Sequence, residues 1–271
     1  MTVRVDAALA ARGLARSRTH AQRLIDDGVV TADGVAVVKA STPVSDDAVL
    51  AVAASDHYVS RAAHKLAAAL DAFGIDPFSR VALDMGASTG GFTQVLRERG
   101  ARLVIAVDVG HGQLAPTVRD DSGVRVVEGF NVRDLSRESL EAAAETADVP
   151  DLVTGDLSFI SLTQVLPAAA RTAADDADLV LLVKPQFEVG RTRVREGVVT
   201  DPGLRADAVA GVLWAAWDAG LGTFGVIASP IVGTHGNREF LVHLRRRPLE
   251  VESGANPSQW MRTVNELAGA E

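Results

Sequence analysis

The stretch Leu83-Asp84-Met85-Gly86-Ala87-Ser88-Thr89-Gly90-Gly91-Phe92 decides the fold of this chain. It joins the apolar run Val81 to Leu83 to a segment in which Phe92, Val95 and Leu96 recur at helical spacing. Three glycines lie between these two parts, and glycine tolerates a positive φ and lets the backbone approach a ligand closely. The pattern predicts a strand, a glycine turn and a helix whose first N–H groups face a nucleotide-like ligand.

The spacing of the glycines narrows the choice of ligand. No lysine follows them, as it does in the phosphate loop G-x-x-x-x-G-K-[ST], and D-x-G-x-x-x-G-G departs from the dinucleotide pattern G-x-G-x-x-G. The stretch resembles instead the first motif of S-adenosylmethionine-dependent methyltransferases, and a purely structural turn is the alternative. The resemblance implies S-adenosylmethionine as cofactor, bound through Asp84, Gly86, Ala87, Ser88, Thr89, Gly90, Gly91 and Phe92.

The composition excludes several classes of protein. The 271 residues include no cysteine, which excludes disulfides, thiolate metal sites and a cysteine nucleophile. No apolar run reaches the roughly 18 residues of a membrane span, and the N-terminus lacks the apolar region of a signal peptide. We therefore expect a soluble, cytoplasmic protein with neither membrane nor metal as a partner. The formal net charge of −8 argues against nucleic-acid binding over the whole surface, although a local basic patch can still bind phosphates.

Residues 1–55 differ in pattern from the rest of the chain. Two short helical segments, the second capped by Ser17, precede a hairpin at residues 29–38 and a strand at 49–52, so we predict the order α-α-β-β-β. Arginines outnumber acids in the helical part and could bind phosphates, although a solvated face is the alternative. The arginines predicted to contact RNA are Arg4, Arg12, Arg16, Arg18, Arg23 and Arg61.

The same segment resembles the S4-like RNA-binding domain. The resemblance rests on Arg4-Val5-Asp6, on the run from Arg12 to Arg18, on Gly28-Val29-Val30 and on Asp33-Gly34. This module occurs in ribosomal proteins, pseudouridine synthases and some rRNA methyltransferases, and so implies RNA as a partner. The predicted division is an RNA-binding domain over 1–55, a linker over 56–60 and a methyltransferase domain over 61–271.

From residue 81 onward, strands and helices alternate. Near-continuous apolar runs such as Leu179 to Val183 are typical of parallel strands that helices cover on both faces. No helix separates the last two strands, which predicts an antiparallel hairpin at one edge, and Trp260 to Leu267 could form a terminal helix. The fold class is thus α/β, a seven-stranded Rossmann-like methyltransferase sheet with a small α+β domain. The predicted strands are 81–86, 103–109, 124–129, 151–156, 178–184, 223–229 and 239–245, and the helices 60–73, 91–99, 111–119, 136–146, 161–173 and 203–219.

Polar residues follow the second and third strands, where ligands of doubly wound sheets bind. Asp108 lies about 20 residues after the glycine turn, a spacing at which a carboxylate accepts both hydroxyls of a ribose. A helix N-cap is the alternative for Asp108. Asn131 and Asp134 could read the adenine edge, although Asp134 could equally begin the next helical turn.

Four ionisable residues are predicted to meet at one end of the sheet. Asp156 ends the fourth strand, Lys184 ends the fifth, Glu239 opens the last strand, and Lys65 lies on the helix that enters the domain. Snorkelling to the rim is the alternative for Lys184, and an ordinary surface position is the alternative for Lys65. Burial and a second cation favour the neutral amine of a lysine, which could act as a base toward a ribose 2′-hydroxyl.

The sequence around Asp156 excludes two kinds of methyl acceptor. Asp156-Leu157-Ser158-Phe159 is not the N-P-P-[YF] or D-P-P-[YF] motif of exocyclic amine methylation. Without cysteine, the covalent route to carbon-5 of pyrimidines is closed as well. Methylation at oxygen or at a ring nitrogen remains.

The four ionisable residues resemble the K-D-K-E tetrad of FtsJ-like RNA 2′-O-methyltransferases. The surrounding segments 59–66, 156–162, 183–190 and 236–240 resemble the TlyA family in particular, whose haemolysin A-like members methylate rRNA. The resemblance implies that Lys65, Asp156, Lys184 and Glu239 are catalytic. It also implies cytidine 2′-O-methylation within ribosomal subunits, in the large subunit and in some members also the small one. In one departure, Glu196 stands where the family has a glycine.

Two other functions remain open at this level. The haemolysin name suggests a membrane-lytic protein, against which the acidic balance and the lack of an apolar span argue. A catalytically silent RNA-binding assembly factor is the second, and it would not bind S-adenosylmethionine.

Overall fold

The computed structural model describes residues 2–26, 28–52, 57–190, 194, 196–233, 236–247 and 255–270. It contains two compact units, Met1–Arg61 with Gly233–Gly236 and Ala62–Val232 with Asn237–Glu271. Residue 56 of the predicted linker lies outside the described residues, as does the side chain of Arg23.

The smaller unit combines two helices with short strands. Its elements are β1 (Thr2–Arg4), α1 (Val5–Ala11), α2 (Arg18–Asp26), β2 (Val30–Ala32), β3 (Val35–Ala36), β4 (Pro43–Ser45) and β5 (Leu50–Val52). Strand β2 pairs antiparallel with both β3 and β5, and β1 pairs antiparallel with β4. Val5, Leu9, Ile25 and Val30 form the centre of the core.

The predicted order of this unit was incomplete. The prediction missed β1 and β4, which pair with each other across a long stretch of sequence, so that no local turn pattern marks them. The hairpin strand predicted to reach residue 38 ends at Ala36, and the next residue, Val37, is buried in the core.

The larger unit is a seven-stranded sheet with helices between most of its strands. Its helices are α3 (Ala62–Phe73), α4 (Gly91–Glu98), α5 (Pro116–Arg119), α6 (Arg137–Ala144), α7 (Leu166–Thr172), α8 (Pro185–Glu188), α9 (Pro202–Asp218) and α10 (Met261–Ala268). Its strands are β6 (Val81–Met85), β7 (Leu103–Asp108), β8 (Val124–Glu128), β9 (Leu152–Gly155), β10 (Asp178–Val183), β11 (Leu221–Ala228) and β12 (Phe240–Arg246).

The strand order is β11-β12-β10-β9-β6-β7-β8, as expected for a doubly wound sheet. Strand β12 runs antiparallel to β10 and β11, whereas the pairs from β10 to β8 are parallel. The predicted α/β class, the seven strands and the hairpin at one edge are confirmed. None of the helices in the described part of the chain combines the length and apolar content needed to cross a membrane.

Two helix predictions for this unit need correction, and one helix was missed. Within predicted helix 111–119 only Pro116–Arg119 is helical, because Gly112 has a φ of 63° and proline begins a helix better than it continues one. Predicted helix 161–173 divides into a 3₁₀ turn at Leu162–Gln164 and α7, which has a proline in its first turn. Helix α8, four residues long, was not predicted.

A buried carboxylate holds the glycine turn in place. Asp84 in β6 has no exposed surface. It accepts hydrogen bonds from Thr93 Oγ1 of α4 at 2.6 Å and from Thr154 Oγ1 of β9 at 3.2 Å. Burial raises the pKa of Asp84 to about 6, while the two threonine hydroxyls act to lower it. Asp84 therefore joins three elements directly beneath the turn.

This burial predicts a pH dependence of stability. The carboxyl of Asp84 is easier to protonate in the folded chain than in the unfolded one. Its contribution to the free energy of unfolding is therefore complete below about pH 4 and is lost as the pH rises through 6. In Asp84→Asn that loss is absent. Relative to that of the wild type, the free energy of unfolding of the variant should therefore rise by about 3 kcal/mol between pH 4 and pH 7. Urea unfolding across this range measures the difference.

Asp207→Asn, on the exposed side of α9, is the control and should follow the wild-type curve at every pH. Parallel curves for Asp84→Asn and the wild type would contradict the raised pKa.

Candidate active site

A cavity of about 820 Å³ opens beyond the carboxyl ends of β6, β7 and β9. Its volume lies in the range of small-molecule sites, on the order of 300–1,000 Å³. Gly86, Ser88, Asp108, Asn131 and Asp156 are among the polar and backbone groups in its wall. The cavity therefore lies where the sequence placed a ligand.

The glycine turn forms the floor of the cavity through a close backbone contact. Gly86 has a φ of 81°, which L side chains rarely adopt. A Cβ atom there would lie 2.9 Å from Leu157 Cδ2 and 3.0 Å from the carbonyl oxygen of Asp156. The turn thus packs directly on the segment that follows β9, and only glycine fits at this position.

Asp108 presents a carboxylate at the cavity wall. Its Oδ2 accepts a hydrogen bond from the Ser88 N–H at 2.8 Å, and its Oδ1 accepts one from the Gly110 N–H at 2.7 Å. Each carboxylate oxygen retains capacity for a second bond, so the group suits two neighbouring hydroxyls such as those of a ribose. The helix N-cap alternative for Asp108 is wrong, because a loop runs from there to Pro116.

Several residues predicted to bind the cofactor lie away from the cavity. Asp84 lies beneath the turn, Phe92 is buried in the core, and Asp134 is exposed on the 3₁₀ turn that Asn131 caps. The described wall of the cavity also does not include Ala87, Thr89, Gly90 or Gly91. These four residues belong to the turn but do not border the cavity.

The four predicted catalytic residues form a row of alternating charge beside the cavity. Lys184 Nζ lies 2.6 Å from Asp156 Oδ1, and Lys65 Nζ lies 3.9 Å from Asp156 Oδ2. At the far end of the row, Lys65 Nζ donates a hydrogen bond of 2.6 Å to Glu239 Oε2. The side chains of Lys184 and Asp156 are 12% and 15% exposed, against 7% and 2% for Lys65 and Glu239. Lys184 is therefore the more accessible amine.

The sheet register brings these residues together. Gly155 pairs with Leu181 in the parallel ladder of β9 and β10, so Asp156 and Lys184 emerge at the same end. Strand β12 runs the other way, with Phe240 opposite Val183, and Glu239 thereby enters at that end too. Lys65 comes from α3 and is only 6% exposed, so the surface alternative for Lys65 is wrong.

A compositional feature of the sequence could have identified both amines. The chain has three lysines, Lys39, Lys65 and Lys184, against 24 arginines, and two of the three lie in this row. Arginine stays charged at all accessible pH, whereas a lysine can give up its proton when its surroundings favour the neutral amine. The scarcity of lysine could therefore have drawn attention to both positions.

One residue that contacts this row was not predicted, and neither was a second residue, Glu188, that anchors the loop after β9. Lys184 Nζ donates a 2.9 Å hydrogen bond to Ser158 Oγ, which lies in the cavity wall. Glu188 of α8 accepts hydrogen bonds from the Ser161 hydroxyl and from the Leu162 N–H. Burial raises the pKa of Glu188. Both contacts join segments far apart in sequence, so local patterns carry no signal for them.

The smaller unit uses part of its arginines internally. Arg12 donates to the backbone carbonyls of Ser45, Asp46 and Ala48. Arg4 and Arg18 both bind Asp6, and these bonds lower the pKa of Asp6 to about 2 against the effect of burial.

Arg61 and Arg16, which were also predicted to contact RNA, have other surroundings than Arg4, Arg12 and Arg18. Arg61 lies so close to Gly28 that a Cβ there would come within 2.6 Å of Arg61 Nη1. Arg16 is exposed, and none of the hydrogen bonds among the described residues uses its guanidinium. Arg16 is therefore the described arginine best placed for an outside partner. Among the described residues, no group of three or more His, Asp or Glu side chains could hold a metal ion.

Comparison with known proteins agrees with both units. Residues 58–246 match the FtsJ-like methyltransferase family, and residues 3–50 match the S4 domain. The chain is 51% identical over 245 residues to the 16S/23S rRNA (cytidine-2′-O)-methyltransferase TlyA of Mycobacterium tuberculosis, covering 89% of each chain. It is 36% identical over 242 residues to Hemolysin A of Brachyspira hyodysenteriae, covering 89% of this chain and 99% of that one.

Solved structures show the same architecture. A candidate hemolysin from Streptococcus thermophilus has a TM-score of 0.75 and 35% identity, covering 99% of this chain and 94% of that one. A second, from Lactococcus lactis, has a TM-score of 0.70 and 37% identity, covering 77% of this chain and 99% of that one. The chain therefore belongs to the FtsJ-like methyltransferase family, in the TlyA group, and carries an S4 domain at residues 3–50.

Proposed function

We propose that this protein transfers a methyl group from S-adenosylmethionine to the 2′-hydroxyl of a cytidine in ribosomal RNA. The observation that carries the proposal is the row Lys184–Asp156–Lys65–Glu239 beside the cavity. A ribose hydroxyl is a very weak acid, and a poised amine next to the acceptor position meets that requirement. The 51% identical relative is named for cytidine 2′-O-methylation, which supports the same acceptor here.

The cavity wall fits the proposed methyl donor. Asp108 offers a carboxylate to the ribose hydroxyls, Asn131 offers an amide near the base, and Gly86 leaves room for a close backbone approach. Val109, Phe130 and Ile160 add apolar surface to the same wall. When bound, S-adenosylmethionine supplies a methyl group on a sulfonium, and the S–C bond electrons remain with sulfur as the methyl group leaves.

The residues of the row have separate roles in the proposed reaction. Lys184, as the neutral amine, takes the proton of the 2′-hydroxyl as its oxygen forms the new bond to carbon. Asp156, 2.6 Å away, stabilises the ammonium that results. Lys65, which donates a hydrogen bond to Glu239, lies on the other side of Asp156 and helps to hold that carboxylate in place. The rest of the acceleration comes from bringing acceptor and donor together in the right orientation.

The smaller unit is proposed to bind the RNA. Its match to the S4 domain and its exposed Arg16 support this role. Ribosomal RNA of the large subunit is the first expected substrate, and that of the small subunit the second, which the 16S/23S name of the relative supports.

Replacing the glycine at the close contact of the turn should weaken cofactor binding. Gly86→Ala adds a Cβ that meets Leu157 and Asp156 at a φ that costs on the order of 1–3 kcal/mol for other residues. Affinity for S-adenosylmethionine, measured by calorimetry, should fall at least about tenfold.

Gly211→Ala in α9, where an added Cβ meets no atom within 4 Å, is the matched control and should bind as the wild type does. A wild-type protein without measurable affinity would favour the silent assembly factor instead.

Removing the proposed base should stop the chemistry and spare cofactor binding. In Lys184→Ala we expect methyl transfer to ribosomal subunits to fall by about 100-fold or more, because general-base catalysis is lost. Transfer of radioactive methyl groups to the subunits measures the rate. Arg262→Ala, which removes an exposed cation from α10, should leave the rate unchanged. Full activity in Lys184→Ala would reject the assignment of the base.

Reversing one exposed charge on the smaller unit should weaken RNA binding alone. In Arg16→Glu we expect affinity for rRNA to fall about tenfold and the slope of log affinity against log salt to decrease by about one. Affinity for S-adenosylmethionine should not change. Arg262→Glu on the larger unit controls for overall charge, and loss of both affinities in Arg16→Glu would indicate unfolding rather than a lost contact.

A further inference from the structure

The Lys184 amine has two polar neighbours that act differently on it. Asp156 Oδ1 lies 2.6 Å from Nζ, yet this oxygen accepts no hydrogen bond from the groups described. Its contact with Nζ is an ion pair with angles unsuited to a hydrogen bond. Ser158 Oγ lies 2.9 Å from Nζ and does accept a hydrogen bond from it. Coulomb attraction has no preferred direction, whereas a hydrogen bond requires an aligned N–H.

This difference determines where the lone pair of the amine can point. A neutral lysine amine carries two N–H bonds and one lone pair on a tetrahedral nitrogen. Rotation about the Cε–Nζ bond exchanges their positions unless an acceptor holds one N–H. Ser158 is the acceptor that holds it, and Asp156 attracts the second N–H. The lone pair is then left in the remaining direction.

Ser158 is held in place by the segment that follows Lys184. Glu188 of α8 accepts hydrogen bonds from Ser161 and from the Leu162 N–H, the latter at 2.9 Å. Between Ser158 and Ser161, Phe159 has a φ of 65° and its ring lies 5.3 Å from that of Phe187. The loop after β9 is thus joined to α8 at both of its ends, so Ser158 and Lys184 keep their separation.

We propose that Ser158 is a positioning residue for methyl transfer, which orients the Lys184 amine so that its lone pair faces the ribose 2′-hydroxyl. This inference rests on the proposed function and adds to it a residue outside the four-residue row. Ser158 lies in the cavity wall together with Asp156.

The first test separates positioning from substrate binding. In Ser158→Ala we expect kcat for methylation of ribosomal subunits to fall about tenfold, part of the 10²–10⁴ that a positioned base contributes. KM for both substrates should stay within about twofold of wild type. Ser158→Thr keeps the hydroxyl and should recover most of kcat. Ser122→Ala, an exposed serine at the opposite end of the sheet, should match the wild type.

Two kinetic outcomes would overturn the proposal. One is a Ser158→Ala enzyme with wild-type kcat. The other is a raised KM at unchanged kcat, which would make Ser158 a substrate contact instead.

The second test observes the amine directly and needs no activity. Because the chain has three lysines, protein with ¹³C-labelled lysine gives three Cε methylene signals, which Lys39→Arg and Lys65→Arg assign. When Nζ is anchored, the Cδ–Cε torsion of Lys184 is fixed as well, and the two Hε protons keep separate shifts. In Ser158→Ala this separation should at least halve, and in Ser158→Thr it should persist.

The same spectra distinguish the two levels of inference. Unchanged Lys184 signals in Ser158→Ala would reject the role of Ser158, even if rRNA methylation is found. Collapsed signals in a protein that methylates no rRNA would support the orientation of the amine and reject the proposed function.

Discussion

Keeping two amines and two carboxylates together away from water is the constraint on which this structure depends. An isolated charge in such a place would be costly, and each of these has an opposite partner within 4 Å. The four groups come from α3, from the ends of β9 and β10, and from the start of β12. Strand β12, inserted antiparallel beside β10, brings Glu239 to the end of the sheet where Asp156 and Lys184 lie.

The glycine turn also has one buried carboxylate and one carboxylate that borders the cavity. Asp84 is buried and bonded to Thr93 and Thr154, so it stabilises the turn and is not available to a ligand. Asp108 lies at the wall, held by two backbone N–H groups, and keeps free capacity on both oxygens. Two carboxylates near one motif thus have different tasks because one is surrounded by protein and the other borders a cavity.

The smaller unit shows the same distinction among its arginines. Arg4, Arg12 and Arg18 are bound to an aspartate or to backbone carbonyls of the unit itself, which a 50-residue module with a small core needs for its stability. Arg16 is not used in this way among the described contacts. A cluster of basic residues in sequence is therefore a mixture of structural cations and cations that remain for a partner.

Local pattern was sufficient for the fold class and for the positions of several polar residues at the strand ends. The glycine turn, the apolar parallel strands and the last hairpin all leave periodic or compositional marks, and so the positions of Asp108, Asp156 and Lys184 could be predicted. Helix 111–119 failed because Gly112 and Pro116 outweigh its apolar spacing. Which carboxylate faces the cavity, which arginine is free and which hydroxyl holds the Lys184 amine depend on contacts between segments far apart in sequence. Folding alone creates those contacts, and no pattern within a single segment encodes them.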